Sequence, residues 1–365
     1  AEIVILAVGT PSDENGIDLT HLEQATRSVA EALAGRTDFP VVVVKSTVVP
    51  GTTSSRVAPI LEEAGNLQIG VSVGLGVNPE FLTEGSAVHD FTVPDRIVIG
   101  ADDERTAAVM GELYAAYGAP KIVCGTATAE MIKYASNTLL STLISFSNEI
   151  ALLSARIEGV DVADVMAGVH ASRYLSVDGE RAEIASFVFP GAGYGGSCLP
   201  KDTVALAAHG RANGVQMELL EQVEKINRNQ PHELMRIVNA ELGDLHGRTV
   251  GVLGLAFKPG TDDVRESPSF PVIELLLEAG AQVIAHDPIA IPNARRWLGE
   301  RAGLVFEPEL TRVVEECEAL VLVTSWEDYR QLPELINARA EPPVLVDGRR
   351  YLPRSSVPRY AGVGL

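Results

Sequence analysis

The sequence predicts an α/β protein in which two outer regions of alternating strands and helices flank a middle region that is nearly all helix. Two observations predict it. Short β-branched runs bounded by Gly and Pro alternate with helical stretches over residues 1–126 and again over 231–365, and residues 127–230 carry helical periodicity instead. Buried parallel strands read as continuous apolar runs, and their alternation with helices makes βαβ units.

In the first region Ile3–Val8, Val41–Lys45 and Ile97–Ile99 read as strands, and Leu19–Leu33, Arg56–Glu63 and Arg105–Tyr117 as helices. In the middle, Ala129–Ala155 contains neither Pro nor Gly and is apolar at Met131, Ile132, Ala135, Leu139, Leu143, Phe146 and Ile150. A helix apolar around so much of its surface is buried or forms a face for a second copy. Asp161 is placed to cap a helix over Val162–Gly168. Phe187–Ser197 is a Gly-rich loop, and Leu199–His209 returns to helix. In the last region Arg248–Gly254, Val283–His286, Leu320–Thr324 and Val344–Asp347 read as strands, with Ser269–Ala279 a helix.

Size and charge narrow the function classes. At roughly 150 residues per domain, 365 residues make two or three domains. A composition of 46% hydrophobic and 21% charged residues fits a globular chain and not a disordered one. With 29 basic and 49 acidic residues the net charge is −20. That argues against nucleic acid or an anionic membrane as partner, though not against a small anion held by a few local cations. No apolar run reaches the roughly 18–20 residues of a membrane-spanning helix. Three cysteines in so large a chain point to a reducing compartment, the cytoplasm. The chain opens on a strand with Ala1 where a Met would stand, which reads as a domain entered part-way.

The densest chemical signal is Pro190-Gly-Ala-Gly-Tyr-Gly-Gly-Ser-Cys-Leu-Pro-Lys-Asp202. Its glycines let backbone approach a ligand and offer N–H groups to an anion. Cys198 follows directly at the start of a helix, where a thiolate is favoured. Asp202, four residues on, shares its face, whereas the neighbouring Lys201 points elsewhere. Read alone, the loop is also compatible with a turn holding a packed thiol.

This segment resembles the nucleotide-sugar 6-dehydrogenases, the UDP-glucose and GDP-mannose dehydrogenase family, whose hallmark is a Gly-Gly-Ser-Cys loop followed by Pro-Lys-Asp. Other stretches resemble the family in order along the chain: Ala7-Val-Gly-Thr-Pro11, Lys45-Ser-Thr-Val48, Asn78-Pro-Glu-Phe-Leu-Thr-Glu-Gly85, Lys133 with Asn137, Gly254-Leu-Ala-Phe-Lys-Pro-Gly-Thr-Asp-Asp-Val-Arg-Glu-Ser267, and Val346-Asp-Gly-Arg349. The resemblance implies two Rossmann-like doubly wound domains, the first N-terminally incomplete, joined by a central helical domain with a long helix. The implied segments are 1–126 for NAD, 127–230 for the helices and the Cys loop, and 231–365 for the UDP-sugar. It further implies a homodimer through the central helix.

The implied reaction is oxidation of the sugar C6 alcohol to a carboxylate with NAD as cofactor, closest to the branch that converts UDP-glucose to UDP-glucuronate. A thiolate adds to the intermediate aldehyde, and loss of a second hydride leaves a thioester for water to cleave. Cys198 matches the family nucleophile, while Cys124 and Cys317 read as packed thiols. Lys133 matches the lysine that steadies the developing oxyanion, Asn137 its hydrogen-bonding partner, Asp202 the water-orienting carboxylate and Glu80 the glutamate of thioester hydrolysis. Thr10, Thr47, Glu84 and Arg265 match cofactor-side positions. Phe81, Leu82, Phe187, Gly191, Tyr194, Gly195, Lys258 and Arg349 match contacts to the nucleotide sugar. No metal is implied. Without the resemblance, Lys133 and Asn137 are a polar stripe and Glu80 a carboxylate at a helix start.

The sequence departs from the family in two places. No strand followed by Gly-x-Gly-x-x-Gly stands ahead of Thr10, so roughly 60–80 residues of the cofactor domain are expected to be lacking and the chain to bind NAD poorly. Where many members have Arg-Ile-Gly, with an arginine reaching the partner subunit's site, this chain has Arg181 one place displaced. A two-electron dehydrogenase of the β-hydroxyacid or 6-phosphogluconate type, which also uses Lys and Asn one turn apart, is the alternative enzyme. An inactive remnant that binds a nucleotide sugar is the alternative without catalysis.

Overall fold

The computed structural model describes residues 1–13 and 16–365. The chain forms two compact units, 1–138 with 201–217, and 139–200 with 218–365.

The first unit is built on a five-stranded sheet. Its strands are β1 (Ile3–Leu6), β4 (Val41–Val44), β5 (Gly74–Val77), β6 (Ile97–Ala101) and β7 (Lys121–Cys124), in that order across the sheet; β2 and β3 (Ser12–Asp13, Gly16–Ile17) form a separate two-residue ladder. Helices α1 (Thr20–Leu33), α2 (Ala58–Gly65), α3 (Ala87–Thr92) and α4 (Glu104–Leu113) connect them. Strands β1, β4 and β5 run parallel, and β6 and β7 run parallel to each other. One pair departs from the parallel expectation: β5 and β6 are antiparallel. All four valines of β4 are buried, as a strand covered on both faces requires. Strand β1 lies at the sheet edge, and its Ile5 is 47% exposed.

Helix α5 (Thr126–Ser154) starts three residues earlier than the periodicity predicts, and the chain passes from the first unit to the second within it. The second unit continues with α6 (Val162–His170), whose N-cap is Asp161 as predicted, its carboxylate accepting from the Ala163 N–H. A two-residue ladder follows, β8 and β9 (Ser176–Val177, Glu180–Arg181); the chain then returns to the first unit in α7 (Leu199–Ala212) and re-enters the second with α8 (Glu218–Leu242). Helix α8 runs through Pro231, so the segment boundary expected at 230 falls inside it. Proline removes only the bond to the carbonyl four residues back and forces a local adjustment.

Six parallel strands follow: β10 (Thr249–Leu253), β11 (Gln282–His286), β12 (Leu304–Phe306), β13 (Ala319–Leu322), β14 (Val344–Asp347) and β15 (Tyr360–Gly362). Helices α9 (Ser269–Glu278), α10 (Ile291–Leu298), α11 (Leu310–Glu316) and α12 (Leu332–Asn337) alternate with them. The spatial order β12-β11-β10-β13-β14-β15 is 3-2-1-4-5-6 in chain order, the doubly wound arrangement. The largest core cluster lies here and is Val-, Leu- and Ala-rich across β10, β13 and β14.

Candidate active site

In an open parallel sheet, ligands bind beyond the C-terminal ends of the strands. In the first unit those ends are the turns after β1, β4 and β5, which carry Thr10, Thr47 and Glu80. Hydrogen bonds lock the first two of these turns together. The Thr10 hydroxyl donates to the Thr47 carbonyl at 2.7 Å. The Ser46 hydroxyl accepts from the Val8 N–H at 2.9 Å and donates to the Val8 carbonyl at 2.7 Å. Thr10 is buried, and Glu84 is exposed on its loop. The buried Glu130 carboxylate of α5 accepts from the Gly51 and Thr53 N–H groups and from the Thr53 hydroxyl at 2.6–2.9 Å. Burial pushes its pKa up despite these bonds.

Three predicted residues meet through α5 and the Asn78–Gly85 loop. The Lys133 ammonium is 4% exposed and pairs with a Glu80 carboxylate oxygen at 3.0 Å. The other Glu80 oxygen accepts from the Leu82 N–H at 2.7 Å. The Phe81 ring takes the Lys133 ammonium at 5.4 Å and the Arg96 guanidinium at 4.0 Å. Arg96 also reaches the Ser136 hydroxyl of α5 at 3.2 Å, and the sequence reading missed it. One turn beyond Lys133, the Asn137 amide donates to Asp202 at 2.6 Å. Lys201 does not point elsewhere, as its adjacency in sequence implied. Its ammonium lies 2.5 Å from the other oxygen of Asp202. Asp202 is 1% exposed, so a cation and an amide both engage a buried carboxylate. Between Lys133 and Asn137 on the chain, the Tyr134 hydroxyl is fully buried with no hydrogen-bond partner among the described residues, and burial followed by the charges of Asp202 and Glu130 raises its pKa.

In the second unit the Gly-rich loop is held along its length. Its Gly191 N–H donates to the Asn148 side-chain oxygen at 2.7 Å. Asn227 takes both backbone polar groups of Tyr194, accepting from its N–H at 2.8 Å and donating to its carbonyl at 3.0 Å. The Arg349 guanidinium donates to the Gly193 carbonyl at 2.8 Å and to the Val323 carbonyl at 2.5 Å. Burial, opposed by the Asp347 charge, brings the Arg349 pKa down to about 10. Gly195 is forced by close approach: a Cβ there would stand 2.1 Å from the Glu266 carbonyl oxygen. Tyr194 is buried and Phe187 half-buried, ending a 3₁₀ turn.

Cys198 is exposed immediately before α7, with the Ser197 hydroxyl 3.7 Å from its sulfur. Cys317 is buried, and burial pushes its thiol up to about 12; burial, then Asp102, also raises Cys124. Lys258 is half-buried, its ammonium 5.8 Å from the Phe257 ring. Arg265 is exposed and fastened to Asp263 at 2.6–3.0 Å. Burial works against the Asp263 charge, but Arg265 outweighs it and leaves the carboxyl below its usual value. Arg181 is exposed and donates to the Ala185 carbonyl at 3.0 Å.

Three family descriptions match in succession. The UDP-glucose/GDP-mannose dehydrogenase family NAD binding domain matches residues 1–118, its central domain 127–229 and its UDP binding domain 251–354. The chain is 37% identical over 359 residues to the UDP-glucose 6-dehydrogenase AglM of Haloferax volcanii, which covers 97% of this chain and 80% of that protein. This chain belongs to the UDP-glucose/GDP-mannose dehydrogenase family. Among other relatives, the UDP-glucose 6-dehydrogenase of Pseudomonas aeruginosa is 40% identical, over 96% of this chain and 76% of that one. A UDP-glucose dehydrogenase structure from Pyrobaculum islandicum superimposes with a TM-score of 0.88 at 40% identity, covering 99% of this chain and 79% of that chain.

Membership bears on one expectation. The NAD binding domain description matches residues 1–118 and lends no support to a cofactor domain lacking its N-terminal part. The protein is an NAD-dependent nucleotide-sugar dehydrogenase of this family. Thr10 and Thr47, expected on the cofactor side, follow the parallel strands β1 and β4, with the Thr10 hydroxyl fixed on the Thr47 carbonyl. No helix among the described residues is long and apolar enough to cross a membrane.

Proposed function

We propose that this chain oxidises the C6 alcohol of UDP-glucose to the carboxylate of UDP-glucuronate, through a thiohemiacetal and a thioester on Cys198. The observation that carries the reading is the exposed thiol at the end of a loop fixed by Asn148, Asn227 and Arg349.

NAD, when bound, takes up the hydride that leaves C6 in each oxidation. Lys133 and Asn137 polarise the alcohol oxygen as its proton leaves, and steady the oxyanions that follow. The Cys198 sulfur forms a bond to the aldehyde carbon, and the former carbonyl oxygen takes a proton. Loss of the second hydride, with that hydroxyl proton passing to water, leaves a thioester. Asp202 orients water and Glu80 removes its proton, so the carbon–sulfur bond breaks and the thiol returns. Thr10, Thr47, Glu84 and Arg265 hold the cofactor. Phe81, Leu82, Phe187, Gly191, Tyr194, Gly195, Lys258 and Arg349 hold the nucleotide sugar. The segments 1–126, 127–230 and 231–365 divide these tasks in a cytoplasmic protein.

Supplying UDP-glucose and NAD tests the reading: two NADH form per UDP-glucuronate, and GDP-mannose and 6-phosphogluconate give little. One NADH per molecule oxidised would establish the two-electron alternative, and binding of UDP-glucose with no NADH the inactive remnant.

Helix α5 supports a homodimer. Met131, Leu139, Phe146 and Leu153 recur along it at near-heptad spacing and stay 43–59% exposed. Light scattering should give a dimer, and Phe146→Glu should shift the mass to that of one chain.

A further inference from the structure

The proposed chemistry leaves the half-buried Lys45 of the first unit unused. Lys45 follows directly on β4, two residues before Thr47. Its ammonium donates to the Asn78 side-chain oxygen at 2.6 Å, and that oxygen also accepts from the Tyr114 hydroxyl at 2.5 Å. The Asn78 amide donates to the Val98 carbonyl at 2.7 Å, and its N–H to the Val44 carbonyl at 2.9 Å. Asn78 is therefore fixed from β4, β6 and α4 at once, and it is 2% exposed. Pro79 follows with its restricted φ, and Glu80 comes next, already paired with Lys133.

The groups facing Lys45 are Glu80 from this turn, Lys133 from α5, and Tyr114 from α4 through Asn78. One carboxylate thus stands with two ammonium groups in a half-buried pocket. The local balance is positive where the proposed oxidation develops negative charge on oxygen.

We propose that Lys45 is a positioning residue of the oxidation site: it holds Asn78, and with it the Asn78–Glu80 turn, and supplies a second positive charge to the Lys133–Glu80 pair. This rests on the proposed oxidation at C6. Burial lowers the Lys45 pKa to about 8; Glu80 opposes that shift and Lys133 adds to it. Lys45 is accordingly charged at neutral pH and loses its proton just above, a titration that an arginine in its place would not undergo.

The test is the pH profile of kcat/KM for UDP-glucose in the wild type, Lys45→Arg and Lys45→Met, beside a ¹⁵N NMR titration of the lysine side chains. In the wild type, kcat/KM should fall through a limb near pH 8 as Lys45 is neutralised. Lys45→Arg should keep most of kcat and move that limb to higher pH. Lys45→Met should abolish the limb and lose roughly tenfold or more in kcat, with KM little changed. The lysine signal absent from Lys45→Met should titrate near 8. A limb unchanged in both variants, an arginine variant as slow as the methionine one, or a Lys45 signal at the ordinary lysine value overturns the proposal alone. A wild type that oxidises no UDP-glucose, with Lys45 still titrating near 8, overturns the C6 oxidation and this role with it.

Discussion

Cys198→Ser should stop the reaction at the aldehyde level. A serine hydroxyl is far less acidic than a thiol, so addition to the aldehyde and loss of the second hydride both fail at that position. Carboxylate formation should fall on the order of 10³-fold or more, as for other nucleophile removals. In a single turnover the variant should release at most one NADH per subunit, and quenching should recover a sugar at the aldehyde stage. The other thiols cannot take over. Cys317 is 1% exposed with its pKa pushed up to about 12, and Cys124 is half-buried with its pKa raised. Iodoacetamide should accordingly modify Cys198 quickly in the native protein and nothing quickly in the variant. Two NADH per sugar, with acid formed at the native rate, would remove the thioester from the mechanism.

What the sequence made legible depended on locality. The strand at Val41–Val44 and the cap at Asp161 each follow from a short pattern with one physical meaning, whereas Lys133 and Asn137 are by pattern alone a polar stripe on a helix. Strand β5 follows from no such pattern. Its Gly-Leu-Gly-Val is absent from the strands read in the sequence, because glycine is a poor strand former. The structure supplies the reason: a Cβ on Gly76 would stand 2.3 Å from the Met110 sulfur. Helix α4 packs too closely for a side chain there, and no local pattern reports a neighbour more than 30 residues away.

The side chains that hold the Gly-rich loop were hidden for the same reason. Asn148 and Asn227 lie on different helices and meet the Gly-rich loop from 43 and 33 residues away. In sequence they look like solvated polar positions. Their meaning comes from backbone groups that need partners once the glycines leave the loop without side chains of its own. Lys201 was misread because adjacency to Asp202 suggests opposite directions on a helix. Both sit at the first turn of α7, where a long flexible side chain can fold back on its neighbour.

Lys133→Met should cost kcat about 10²- to 10³-fold, the range seen when one donor to a developing oxyanion is removed. The ammonium is almost wholly buried and its ion pair is with Glu80, so removal takes the positive charge from the reacting region and unpairs a half-buried carboxylate. Methionine keeps the length and the apolar character of the stem, which limits the loss to the charge and its contact with the Phe81 ring. Lys133→Arg should not restore the rate, because a planar fork cannot occupy the point-charge position 3.0 Å from Glu80 without displacing that loop. The kinetics should separate this variant from Cys198→Ser. Without Lys133 the first hydride transfer is slowed, so the NADH burst disappears and UDP-glucose deuterated at C6 shows a larger isotope effect on kcat. Without Cys198 the first transfer survives and the burst remains. If Lys133→Met keeps a burst of native amplitude, the ammonium does not act on the alcohol, and its pairing with Glu80 is structural.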